Sequence, residues 1–210
     1  IMMKFFMNSK FDYLLCQEAA GRTLIFDLDD TIYPELDFLK QQYLIVAKKF
    51  NSKDIDSAYN FLVNTFQVHG RKLLFDKFKA EYEITDSIDA ILSEFRNYSN
   101  GVSSSLTPYN WFIEFSDKLK GDLHLLIVTN GNVDQQKEKA RRLQLDRYFK
   151  LVSFVFANNY EPKPSSASLK KIQISAPFKD PIYIGDSLVD KDFASNCGFE
   201  FLHIGEVIRK

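Results

Sequence analysis

Thr23-Leu24-Ile25-Phe26-Asp27-Leu28-Asp29-Asp30-Thr31 is the stretch on which the reading of this chain turns. The apolar run from Thr23 to Phe26 reads as a short buried strand. Asp27 and Asp29 leave its end two residues apart, so both point the same way along the backbone. The two carboxylates need not share one job. One suits a nucleophile and metal ligand, the other a proton shuttle. Together they suit cleavage of a phosphomonoester through an aspartyl-phosphate. By itself the pattern also fits a solvated strand exit with Thr31 as a cap.

Three later segments weigh on that choice. Leu123 to Val128 is a second apolar strand, and it ends in Thr129-Asn130-Gly131. Lys163 lies between Pro162 and Pro164. Pro181 to Ile184 is a third strand, running into Gly185-Asp186-Ser187-Leu188-Val189-Asp190. Each polar cluster except the lysine directly follows an apolar strand. In open α/β sheets, ligands bind at the carboxyl ends of strands.

This ordered set, from about Thr23 to His203, resembles the haloacid dehalogenase (HAD) superfamily, and within it the small-molecule phosphatases. Phe26 to Pro34 is similar to pyrimidine 5′-nucleotidase-like members. So is Thr129-Asn130-Gly131 followed by Gln135 or Gln136 and by Lys139. The resemblance implies Asp27 as nucleophile and Asp29 as acid/base, with Thr31 fixing the loop around Asp29 and Asp30 structural. It implies Mg²⁺ held by Asp27, Asp186 and the backbone carbonyl of Asp29. Asp190 would orient Asp186 or a metal-bound water; Asp192 reads instead as a helix N-terminal acid. Thr129, the Asn130 N–H and Lys163 would bind the phosphoryl group.

The implied partner is a small-molecule phosphate ester. The nearest alternative is a sugar phosphomutase of the same superfamily, since both keep a carboxylate where Asp29 stands and dehalogenating relatives do not. From another class, a catalytically silent HAD-like binding module would be marked by a lost motif residue, and none is lost.

Composition narrows the rest. A chain of 210 residues suits one domain, or a core with a modest insertion. Its 27 Lys and Arg face 28 Asp and Glu, a net charge of -1. That balance argues against a nucleic acid polymer, which needs a basic face. Cys16 and Cys197 are too few for a disulfide framework, and free thiols point to the cytoplasm. No apolar run spans a bilayer. The start from Ile1 to Met7 imitates a leader, but Asn8, Ser9, Lys10 and Asp12 end its apolar run, and a first residue of Ile reads as a trimmed terminus. His124 and His203 lack zinc spacing and read as structural. No Gly-x-Gly-x-x-Gly follows a strand, so a dinucleotide cofactor is not expected.

After Pro34 the period changes from strand to helix. Leu36, Leu39, Tyr43, Val46 and Phe50 form one helical stripe. Further helices are expected after Asp54, around Leu74 to Tyr82, and after Asp86 or Ser87. Residues 35–106 therefore read as an all-helical cap, left through the polar linker at 99–105. Residues 1–34 and 107–210 read as an α/β core with a Rossmann-like parallel sheet in three layers. Helices are expected near 109–120, 133–143, 165–174 and 189–197, between strands near 123–128, 152–156, 181–184 and 199–204. A cap of this kind closes over a small substrate. Gly70 should end the second helix, and Arg71 and Lys72 after it are candidates for substrate specificity.

Overall fold

A computed structural model describes residues 10–51, 53–98, 104–119, 122–169 and 177–207. The chain begins with α1 (Lys10–Ala19) and β1 (Leu24–Phe26), followed by four helices: α2 (Glu35–Phe50), α3 (Ile55–His69), α4 (Leu74–Glu81) and α5 (Ile88–Phe95). It continues through α6 (Asn110–Leu119), β2 (His124–Thr129), α7 (Val133–Leu143) and β3 (Leu151–Phe156). It ends with β4 (Ile182–Gly185), α8 (Leu188–Cys197) and β5 (Glu200–His203).

The strands form one parallel sheet in the order β3-β2-β1-β4-β5. This is the Rossmann-like α/β plan. The chain crosses to one side after β1 and to the other before β4, so the reversal of strand order falls at β1.

β1 is central because it has no polar face. Ile25 pairs with Leu126 and Tyr183, and Phe26 with Ile127 and Ile184. Ile25 packs among Val128, Phe193 and Ala194 on one side of the sheet. On the other, Phe26 meets the α6 rings of Phe112 and Phe115 at 6.3 and 6.2 Å. A strand covered on both faces shows a continuous apolar run rather than alternation. Past it, Asp30 adopts φ 53°, a left-handed conformation that Asp tolerates. The Ile32 N–H then closes onto the Leu28 carbonyl at 3.0 Å.

The chain divides into two compact units, Ile1–Pro34 with Thr107–Lys210, and Glu35–Leu106. Among its described residues the second unit is wholly helical. Asp54 caps α3 by accepting from the Ser57 N–H at 3.0 Å, and Ser87 caps α5 by accepting from Ala90 N–H at 3.1 Å. Gly70 ends α3 at φ 67°, where a side chain would be strained. Its interior is aromatic, with Phe38, Tyr43 and Phe78 fully buried.

Two elements depart from expectation. α1 has no counterpart in the sequence reading; it buries Leu14, and its Tyr13 hydroxyl donates to Glu200 at 2.6 Å. In place of a helix beginning at Ser165 there is a 3₁₀ turn over Ser166–Ser168. The expected helix beyond Leu169, the linker residues 99–103 and the leader-like start lie outside the described residues. No helix among the described residues is long and apolar enough to cross a membrane.

Candidate active site

The carboxyl ends of β1, β2 and β4 carry Asp27, Thr129 and Asp186. The Asp27 N–H donates to the Ile184 carbonyl at 2.8 Å, which extends the β1–β4 ladder by one residue. Asp27 is buried, and so is the lysine that meets it. Lys163 Nζ donates to Asp27 Oδ1 at 2.6 Å, to Asp190 Oδ1 at 2.6 Å and to the Tyr183 hydroxyl at 2.9 Å. An ammonium has three N–H donors. All three have acceptors here. Its charge faces both carboxylates.

Asp190 is held at both oxygens. Its Oδ2 accepts from the Ser187 hydroxyl at 2.6 Å and from the Ser187 N–H at 3.2 Å. The Asp190 N–H returns a bond to Ser187 Oγ at 3.3 Å, a capping box that starts α8. Gly185 leaves room for it: a Cβ there would lie 2.6 Å from Asp190 Cβ. One local design thus produces the Gly-Asp-Ser-x-x-Asp wording.

Asp27, Asp186 and Asp190 each offer a carboxylate oxygen, all within 4.8 Å of one another. Three carboxylates around one ammonium would, if all ionised, leave two negative charges in excess. Burial pushes Asp27 up to about 8 against the pull of Lys163, with Asp190 and Asp29 adding to the rise. Burial also pushes Asp186 up to about 6, helped by Asp190 and Asp30. An all-oxygen donor set with excess negative charge fits a hard divalent cation such as Mg²⁺.

Asp29 has a different environment. Lys139 Nζ donates to its two oxygens at 2.8 and 2.7 Å, Gln136 Nε2 at 3.0 Å and the Tyr33 hydroxyl at 2.7 Å. Burial works to raise its pKa, but the Lys139 charge and these donors prevail and hold it below the usual carboxylate range. The residue read as acid/base is therefore ionised at rest. Gln136 and Lys139 reach it together because they stand one turn apart on α7. Lys139 is fully buried. The sequence reading used both only as marks of resemblance. Their spacing in a charged helix was the available signal.

Thr129 is buried, and its hydroxyl donates only a long 3.4 Å bond to the Asn130 carbonyl. The Asn130 side chain has a role that the sequence reading missed. Its Oδ1 accepts from the Lys163 N–H at 2.7 Å, and its Nδ2 donates to the Lys163 carbonyl at 2.9 Å. Gly131 donates its N–H to Asn158 at 2.8 Å, and its φ of 120° excludes a side chain. The Thr31 hydroxyl is buried and has no hydrogen-bond partner among the described residues.

The remaining candidates have other surroundings. Arg71, in the helical unit, is paired with Glu35, and Lys72 is exposed. Asp192 is exposed on α8. His124 shares a bond with Ser153 at 2.9 Å, and His203 accepts from the Gly205 N–H at 3.0 Å.

Fold and cluster together define a Rossmann-like α/β protein with a buried aspartate–lysine centre at the carboxyl ends of its strands. The sequence model for haloacid dehalogenase-like hydrolases matches residues 24–204, and the chain belongs to that family. Solved structures agree on the fold. A protein of Clostridium difficile named as a phosphatase is 21% identical with TM-score 0.60, covering 86% of this chain and 83% of that one. A magnesium-bound HAD hydrolase of Bacillus subtilis is 20% identical with TM-score 0.56, covering 86% of each chain. A Thermotoga maritima protein named as a β-phosphoglucomutase is 19% identical with TM-score 0.57, covering 86% and 83%. No curated protein sequence matches this chain.

Proposed function

We propose that this hydrolase is a Mg²⁺-dependent phosphatase acting on a small-molecule phosphomonoester. The observation that carries the reading is Asp27, buried with one oxygen fixed by Lys163 and with Asp186 beside it. In this reading an Asp27 oxygen attacks phosphorus, the bond to the leaving oxygen breaks, and water then cleaves the aspartyl-phosphate. Lys163 offsets the charge of Asp27 and Asp190. The Thr129 hydroxyl, the Asn130 N–H and the Lys163 ammonium stabilise the phosphoryl oxygens. Asp29 is the acid/base group, and Lys139 sets the pH at which it carries a proton.

Asp27, Asp186 and the Asp29 backbone carbonyl would hold the cation, with Asp190 orienting them. When bound, Mg²⁺ supplies the positive charge that lets a carboxylate approach a phosphate dianion. The helical unit is assigned the choice of substrate, with Arg71 and Lys72 as candidates.

The test is a screen of nucleoside monophosphates, sugar phosphates and short organic phosphates with and without Mg²⁺. Phosphate release from at least one class, only with Mg²⁺, is expected. No release from any class overturns the reading, and turnover that needs a trace of bisphosphate converts it to a phosphomutase.

A further inference from the structure

Pro162 and Pro164 have no backbone N–H, so Lys163 carries the only main-chain donor among these three residues. The loop that brings the lysine to Asp27 is therefore poor in backbone donors of its own. A side chain supplies the missing bonds. The Asn130 amide accepts from the Lys163 N–H through Oδ1 at 2.7 Å and donates to the Lys163 carbonyl through Nδ2 at 2.9 Å. One such bond would let the loop swivel about it. Two, made to both peptide groups of a single residue, fix its position and its orientation, as a residue on a neighbouring strand does.

Asn130 is itself anchored. It follows Thr129, the last residue of β2, and Gly131 after it donates its N–H to Asn158 Oδ1 at 2.8 Å. The end of β2 is thus joined to the loop after β3 on both sides of the amide. The junction matters because the lysine stem is long and rich in rotamers. Its ammonium stands 2.6 Å from Asp27. A charge held in place before reaction needs no rearrangement during it, and a long stem can be aimed only from a fixed root.

We propose that Asn130 is a positioning residue through its side chain. The amide fixes the main chain of Lys163 to the end of β2, so that the ammonium and the Asn130 N–H meet a phosphoryl group as one preorganised unit. The kinetic consequence rests on the phosphatase reading; the clamp does not.

Asn130→Ala keeps the backbone N–H and removes both bonds to Lys163. Expected are a kcat lower by about ten- to hundredfold, the scale on which contacts that orient a site's ligands act, and a KM within about threefold. Asn130→Asp has the same shape, still accepts from the Lys163 N–H and cannot donate to the carbonyl. It covers the case in which Asn130→Ala fails to fold, and it should lose kcat on the same scale. Asn196→Ala is the loop control. The exposed Asn196 donates its Nδ2 to the Pro164 carbonyl at 2.8 Å, one residue past the lysine. Its removal should leave kcat near wild type. Unchanged kcat in the Asn130 variants, or an equal loss in Asn196→Ala, overturns the proposal.

A second arm needs no turnover. In protein labelled at its lysine backbone nitrogens, the Lys163 amide proton should exchange slowly with water. Its signal is assigned by its loss in Lys163→Arg. Asn130→Ala should speed that exchange by at least about tenfold, and Asn196→Ala should leave it near wild type. An unprotected Lys163 amide in the wild type, or equal rates in Asn130→Ala, sinks the proposal even if the phosphatase reading stands.

Discussion

Two buried lysines meet the loop after β1, and they leave its two carboxylates in opposite states. Lys139 grips both oxygens of Asp29. That pair is neutral in itself. Lys163 is shared between Asp27 and Asp190, with Asp186 close by. With every carboxylate ionised, that group would be two charges short of neutrality. Asp29 is held below the usual carboxylate range while Asp27 rises to about 8, although one residue separates them. A finished ion pair is a structural element that sets a proton affinity. An unfinished one is a binding site.

The sharpest way to break this contrast is Asp27→Asn. The amide cannot attack phosphorus, and removal of such a group costs on the order of 10⁴ to 10⁶ in rate. The melting temperature should hold or rise, because one buried like charge is gone. Near wild-type phosphate release by a verified sample would place the nucleophile elsewhere.

Lys139→Met should have the largest effect on stability. It strands the Asp29 carboxylate, and breaking a buried pair from one side costs about 3–5 kcal/mol. A side chain of Asp29 that is 20% exposed favours the lower end of that range. Adding Asp29→Asn should recover most of the loss. Urea unfolding measures both, and a Lys139→Met loss below about 1 kcal/mol would show the pair to be dispensable.

Acidity should separate the two sites. Asp27 and Asp186 have folded pKa values above the ordinary 3.8, at about 8 and about 6. The folded state then binds more protons than the unfolded state across that interval. Without metal, their contribution to stability falls as pH rises from about 4 to about 8. Asp29 is lowered, so its contribution is present above the ordinary carboxylate pKa and is lost as pH falls through the lowered value. Mg²⁺ should therefore raise the melting temperature more at pH 8 than at pH 5, where protons compete for the same oxygens. Equal shifts at both pH values count against these carboxylates as the metal site.

The smallest effect is expected in the other unit. Arg71 is 54% exposed, and an exposed pair such as Arg71–Glu35 contributes about 0–1 kcal/mol. Joint replacement of Arg71 and Lys72 by Ala should leave unfolding nearly unchanged. It should raise KM for the best substrate more than for p-nitrophenyl phosphate. Parallel changes in both move specificity to other residues.

Strands and caps were legible because local chemistry decides them. β1 announced itself by an apolar run, α3 and α5 by Asp54 and Ser87, and α7 by its charged helical period. The nucleophile loop, Asp186 and Asp190 were legible as motifs. Tyr183 was not, since one polar atom inside an apolar strand gives no sign of what it reaches from 55 residues away in sequence. The Asn130 amide was read for its backbone alone, because its partner lies in a loop that only the closed sheet brings near. Lys139 was noticed without its function. The 3₁₀ turn at Ser166–Ser168 follows a proline and a serine cap, a start too short for the α-helical period to register.

The backbone also joins Ile32 and Tyr109, whose carbonyl and N–H meet at 2.9 Å. The sheet unit's chain thus departs and returns at one doorway. Everything between is, for that unit, a loop with tied ends. The entropy of closing such a loop grows only as the logarithm of its length, about 0.6 kcal/mol per doubling. Lengthening, trimming or exchanging the helical segment should consequently weigh little on the sheet's stability. The helical segment can then change length or sequence at little cost to the fold of the sheet unit.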